Sequence, residues 1–220
     1  MQRVVEPELM DEAEQALAYA QADFSEPNSA FADLVAETLS HPALRVVDLG
    51  CGPADIPVRL ALKFAGWKID AVDGAEAMLA HGRRLVDRHG LGSRVSLTRA
   101  LLPDLPLASH AYDLVISNSL LHHLHQPRVM WQSVRKLGRP GARVIVMDLL
   151  RPASLTDAQR LVALYAGDAP EVLRRDFEAS LRAAFTLDEV REQLARAGLA
   201  DFEVRASSDR HLVVSGQLPH

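Results

Sequence analysis

Cysteine is nearly absent: the 220 residues include one, Cys51. A single thiol excludes an intramolecular disulfide framework and a cluster of thiolate metal ligands. It fits a reducing compartment, so a cytoplasmic setting is expected. An excess of positive charge is also lacking. Lys and Arg number 24 against 29 Asp and Glu, a formal net charge of −5. Polyanion-binding proteins are normally basic on at least one face. Here basic residues do no more than pair, as Arg83-Arg84 and Arg174-Arg175, so nucleic acid is disfavoured as a partner. Long apolar runs are missing too. None approaches the roughly 20 residues that cross a bilayer, and no membrane partner is expected. The stretch from Met1 to Met10 holds Glu6, Pro7 and Glu8 and no apolar centre, so it does not read as a secretory signal.

What is present is ordinary globular composition, 48% apolar and 24% charged. The length suits one domain with a full core and a small lid. Asp11 to Ala22 and Ala30 to Leu39 read as helices, separated by Ser25-Glu26-Pro27-Asn28-Ser29. From Arg45 the pattern becomes strand, turn, helix, repeated. Strands are expected at Arg45–Leu49, Lys68–Asp73, Val95–Thr98, Tyr112–Ser117 and Arg143–Asp148. Helices are expected at Ile56–Ala65, Ala75–His89 and Pro127–Leu137. This alternation implies a parallel sheet with helices on both faces and right-handed crossovers. Ser154 to Ala184 reads as one or two helices, and Thr186 to Ala197 as another. Phe202–Ala206 and Leu212–Ser215 flank the polar turn Ser207-Ser208-Asp209-Arg210 and read as an antiparallel hairpin.

The strongest local signal is Val46-Val47-Asp48-Leu49-Gly50-Cys51-Gly52-Pro53. A buried strand runs into a glycine turn and then a helix. Gly50 and Gly52 let the backbone approach a ligand that a Cβ would block. Asp55 reads as the N-cap of the following helix, with Pro57 in its first turn. A dinucleotide turn of the G-x-G-x-x-G type would place a third glycine where Asp55 stands. A carboxylate there repels a pyrophosphate, and Asp48 adds a second acid. The site prefers a ligand with a positive group and no phosphates, which favours a sulfonium amino acid over a nicotinamide cofactor. Asp73 ends the next strand before Gly74, where an acid accepts both ribose hydroxyls in this fold class. Its alternative role is an N-cap.

These residues resemble the class I, Rossmann-like S-adenosylmethionine-dependent methyltransferases, especially the small-molecule group that includes ubiquinone and menaquinone methyltransferases. The resemblance covers roughly Arg45 to Arg151. It implies an α/β fold with a seven-stranded, mostly parallel sheet, an antiparallel last strand, helices on both faces and a helical lid. It implies that Gly50, Cys51 and Gly52 line the methionine part of the cofactor and that Asp48 helps hold its ammonium. Asp73 and Gly74 belong to the ribose, and Met78 packs near the adenine. The family often bonds the adenine amino group with an acid after the third strand. Leu101 occupies that position here, with Leu102 beside it, so adenine is held by backbone and apolar contact, or Asp104 reaches in. The division expected is an N-terminal helical cap segment, residues 1–42, and a methyltransferase domain, residues 43–220, with a helical insert near 152–185.

Asn118 and Ser119 end the fourth strand, where ligands of open α/β sheets lie. Amino-group methylating relatives have Asn-Pro-Pro-Tyr there. This chain keeps the Asn but has Ser119 and Leu120 in place of the prolines, which weakens that reading. Methyl transfer needs proximity, in-line orientation and removal of water, and a hydroxyl or thiol acceptor also needs a base. His123 is the first candidate base, then His122 and Tyr19; the alternative is that the histidines pack or cap a turn. His122, His123 and His125 are not joined by a cysteine or a nearby acid in sequence, so no metal site is expected. The acceptor is expected to be a small molecule. Its contacts fall on Tyr19, Phe24, Asn28 and Phe31, and on Arg174, Arg175, Asp176 and Phe177, although each taken singly reads as core or solvated face. The competing readings are a nucleotide-binding oxidoreductase, a non-catalytic S-adenosylmethionine-binding regulator and a protein or nucleic-acid amino-group methyltransferase.

Overall fold

The computed structural model describes residues 1–7, 25–39 and 41–220. The expected helix Asp11–Ala22, Tyr19 and Phe24 lie outside the described residues. Helix α1 spans Ser25–Thr38. It starts five residues earlier than the sequence reading placed it. Pro27 stands in the first turn, where its missing N–H has no helical partner to lose, so it does not break the helix.

Strand β1 (Arg45–Leu49), helix α2 (Asp55–Lys63), strand β2 (Lys68–Asp73), helix α3 (Glu76–Arg88) and strand β3 (Val95–Arg99) form the first half. Strand β4 (Tyr112–Asn118), a 3₁₀ turn (Leu121–His123), helix α4 (Arg128–Leu137) and strand β5 (Gly138–Leu149) follow. The long segment resolves into two helices, α5 (Leu155–Ala166) and α6 (Glu171–Ala183), broken at Gly167-Asp168-Ala169-Pro170. Ser154 caps α5 by accepting from the Asp157 amide at 3.1 Å. Helix α7 (Leu187–Arg196) opens with a reciprocal Thr186–Glu189 capping box. Strands β6 (Glu203–Ala206) and β7 (His211–Gln217) close the chain.

The seven strands run in the order β3-β2-β1-β4-β5-β7-β6, and β7 alone is antiparallel to its neighbours. Alternation along each strand splits the core into two layers. Val47, Val115, Val144 and Val214 pack with Trp131 of α4 and Val190 of α7. Val46, Ile116, Ile145 and Val213 pack with Phe31 of α1, Leu60 of α2 and Val86 of α3. The strand order reverses between β1 and β4. A crevice opens at their carboxyl ends, as open α/β sheets require.

Candidate active site

The glycine turn is held at both ends. The amides of Gly50 and Cys51 donate to the Val72 carbonyl at 2.8 and 3.0 Å. The Gly52 amide donates to Oδ2 of Asp73 at 2.8 Å, and the Ala75 amide to Oδ1 at 2.8 Å. Both glycines have positive φ, +74° at Gly50 and +52° at Gly52, but their surroundings differ. A Cβ on Gly50 would lie 2.8 Å from Cβ of Leu120, whereas one on Gly52 meets nothing within 4 Å. Gly50 is needed to pass Leu120. Gly52 is the position that leaves the crevice open to a ligand.

The crevice is a cavity of about 870 Å³, and all eleven candidate cofactor residues line it. Asp48 is 1% exposed, and neither of its carboxylate oxygens has a hydrogen-bond partner. Burial, with a smaller push from Asp73, raises its pKa to about 8. A buried acid without donors is costly, and a cationic ligand group in the cavity relieves that cost. Burial likewise pushes the Cys51 thiol up, which keeps it an inert packing residue. Met78 is buried beneath the cavity. Leu101 and Leu102 reach its wall from the loop after β3.

Two sequence expectations at this turn are corrected. Asp55 is not the N-cap: Ala54 holds that place, in left-handed backbone and without a side-chain bond. Asp55 is the first helical residue, paired with Arg59 at 2.6 Å and accepting from Asn28 Nδ2 at 2.9 Å. Its charge is partly neutralised by Arg59. Asp104 is exposed and does not line the cavity, because the turn at Leu101 to Asp104 carries it outward.

A second cavity of about 480 Å³ adjoins the first, and Ser25, Asn28, Asn118, Ser119 and His123 line both. Asn118 presents a buried Oδ1 without a partner. His122 lies on the second cavity, buried to 3% exposure. Its Nδ1 is 2.6 Å from Oδ1 of Asp148, at the end of β5. Asp148 also accepts the Leu121 and Leu149 amides at 2.6 and 2.7 Å. Burial opposes charge on both partners. Their mutual attraction prevails, so His122 is raised and Asp148 lowered. Burial, then the neighbouring His122, drops His123 to about 3.

The N-terminal residues close this corner. Arg3 donates to the carbonyls of Ala183, His122 and Leu124 at 2.5, 2.9 and 3.1 Å, and lies 4.0 Å over the Phe185 ring. Glu6 is thereby set beside both histidines, its pKa raised by burial. Its Oε1 lies 3.5 Å from His122 Nε2 and 3.2 Å from His123 Nδ1. The sequence expectation that no acid joins the histidines fails here, since Glu6 and Asp148 arrive from distant segments. His125 turns away and bonds the Glu6 carbonyl at 2.7 Å.

The expected acceptor contacts divide. Asn28, Asp176 and Phe177 line the second cavity. Phe31 is fully buried in the core, and Arg174 and Arg175 face solvent, because α6 turns that side outward. Sequence reasoning missed Glu6, Asp148, Met147 and His211. Asp148 and Met147 stand at the carboxyl end of β5, which was a usable signal. Nothing local marked Glu6 or His211.

Residues 46–141 match the family model described as a methyltransferase domain. The matched segment runs from β1 into β5 and resembles a class I S-adenosylmethionine-dependent methyltransferase domain. It is 28% identical over 173 residues to a malonyl-[acyl-carrier protein] O-methyltransferase of Geobacter sulfurreducens, covering 73% of this chain and 57% of that protein. It is 32% identical over 156 residues to a trans-aconitate 2-methyltransferase of Methylobacterium nodulans, covering 70% and 54%. The chain thus spans about half the length of the curated relatives it matches. A solved protein of Methanococcus maripaludis, described as an S-adenosylmethionine-dependent methyltransferase, shares the fold. Its TM-score is 0.75 at 12% identity, with 99% of this chain and 98% of that one covered. Among the described residues, no helix is long and apolar enough to cross a membrane.

Proposed function

We propose that this methyltransferase domain moves the methyl group of S-adenosylmethionine to a small-molecule acceptor held in the second cavity. The observation that carries the reading is Asp48: a buried carboxylate with two unpartnered oxygens on the wall of a ligand-sized cavity. The methionine ammonium supplies the donors it lacks. Asp73 accepts from two amides on the cavity wall and is the acid placed to meet the ribose hydroxyls. Gly50, Cys51, Gly52 and Gly74 shape the walls. Met78, Leu101 and Leu102 cover the adenine. Bound cofactor supplies a methyl group on a good leaving group. This chain's residues hold it, exclude water and orient the acceptor.

Asn118, Ser119 and His123 stand where the two cavities join. His123 is the residue placed to touch the acceptor, with His122 behind it. The names of the relatives, acting on malonyl-acyl carrier protein and trans-aconitate, support a small acceptor. The net charge of −5 argues against nucleic acid. The non-catalytic regulator is the second reading, since binding alone uses the same cavity.

The test is an acceptor panel incubated with the protein and S-adenosylmethionine, reading S-adenosylhomocysteine. Product formation with a small acceptor supports the proposal. Tight cofactor binding without turnover across the panel leaves the regulator. Absence of cofactor binding removes both readings.

A further inference from the structure

Three ligand atoms meet at one point beside the second cavity: His122 Nε2, His123 Nδ1 and Glu6 Oε1 lie within 4.8 Å of one another. His122 Nδ1 is 2.6 Å from Asp148, which leaves Nε2 toward Glu6. His123 bonds the Pro7 carbonyl, which can only accept, while its Nδ1 has no hydrogen-bond partner. Glu6 Oε1 also lacks one. Oε1 is 3.5 Å from His122 Nε2 and 3.2 Å from His123 Nδ1. All three side chains are at least 86% buried, being 10%, 3% and 14% exposed for Glu6, His122 and His123. Buried polar atoms without hydrogen bonds are costly, and a cation that takes the place of the His122 proton satisfies all three.

We propose that Glu6, His122 and His123 form a binding site for a first-row divalent transition cation such as zinc. A cation about 2.1 Å from each of three tetrahedral ligands sets them about 3.4 Å apart, close to the two separations found here. Two imidazoles and one carboxylate suit that class and leave a position open. Asp148 on the far nitrogen of His122 is the carboxylate partner that metal-bound histidines usually have. Glu6 is carried in by Arg3, whose guanidinium bonds the His122 and Leu124 carbonyls. The open position faces the second cavity, which His122 and His123 line. The site needs nothing from the methyltransferase reading and stands or falls separately.

The experiment is titration of the untagged full chain with Zn²⁺ against a chromophoric chelator, with no cofactor or acceptor present. One equivalent should bind with a dissociation constant at or below micromolar. Glu6→Gln and His123→Gln should each weaken it at least tenfold, whereas His125→Gln should not. Co²⁺ in place of Zn²⁺ should show the intense visible bands of a four-coordinate ion. Both substituted residues lie at the edge of the cluster, and circular dichroism checks that the variants fold. If either fails to fold, Glu6→Ala at the chain's start gives the same readout. Binding no tighter than in the Glu6 variant, or loss on His125→Gln instead, overturns the site. The corner would then hold an ion pair only, with a protonated His122 between Glu6 and Asp148.

Discussion

The Asp73 carboxylate accepts the Gly52 amide at 2.8 Å through Oδ2 and the Ala75 amide at 2.8 Å through Oδ1. The acid assigned to the ribose therefore also holds the glycine turn against the start of α3. Ribose partner and turn anchor are two uses of one group, while the N-cap of α3 is Ala75, without a side-chain bond. Asp73→Ala should weaken cofactor binding about 10- to 100-fold, as loss of charged hydrogen bonds costs roughly 1.5–3 kcal/mol. It should also lower the melting temperature of the cofactor-free protein, since losing two bonds to backbone amides costs roughly 1–3 kcal/mol. Calorimetry and thermal denaturation measure the two effects. An unchanged dissociation constant with lowered stability would leave Asp73 a turn anchor alone.

Asp48 sets a pH dependence of unusual sign. Its folded pKa of about 8 lies above the ordinary carboxylate value near 3.9. Between these values the folded state binds the extra proton, so Asp48 costs stability progressively as pH rises from about 4 to about 8. Asp48→Asn should leave the melting temperature of the cofactor-free protein nearly unchanged at pH 4.5 and raise it at pH 8. Cofactor binding at pH 7 should release a proton, because the ligand ammonium favours the ionised acid. Calorimetry in buffers of different ionisation enthalpy reads that proton. No proton release, together with equal melting temperatures at pH 8, would contradict the assignment.

The two glycines should separate. Gly50→Ala drives a Cβ toward Leu120 and is strained at positive φ, so it should lower stability first. Gly52→Ala meets open space and pays only the left-handed backbone cost of about 1–2 kcal/mol. Its Cβ enters the cavity, so its main effect should be on cofactor affinity. Melting temperature and cofactor titration on both variants check the contrast. Normal affinity in Gly52→Ala would show that the ligand does not approach this backbone.

His123 lines both cavities, which places it at the junction of donor and acceptor. His123→Ala should lower turnover much more than cofactor affinity. A directly acting group is typically responsible for about 10²- to 10⁴-fold. A ring that only shapes the pocket would show a small loss, mainly in the Michaelis constant. Steady-state kinetics with any acceptor found in the panel distinguishes the two. Near-normal turnover would remove His123 from the reaction.

Local pattern was enough for much of this molecule. The alternation of buried strands and amphipathic helices dictates a parallel sheet wrapped on both faces, and the Gly50–Gly52 turn marks where its crevice opens. Asp48, Asp73 and Met78 were legible because strand ends and the turns after them sit at fixed offsets in sequence. What sequence could not show is which distant groups share a corner. Glu6 reaches His122 and His123 only because Arg3 ties the N-terminal residues to α6 and the 3₁₀ turn. Asp148 meets His122 only because β5 packs beside β4. The charge on Asp55 was misjudged for the same reason, since Arg59 and Asn28 come to it through helix geometry and tertiary packing. Periodicity and turn chemistry are local and travel with the sequence. The protonation of Asp48 depends on desolvation, and the meeting of Glu6 with His122 and His123 joins residues more than 100 positions apart; only the folded chain decides those.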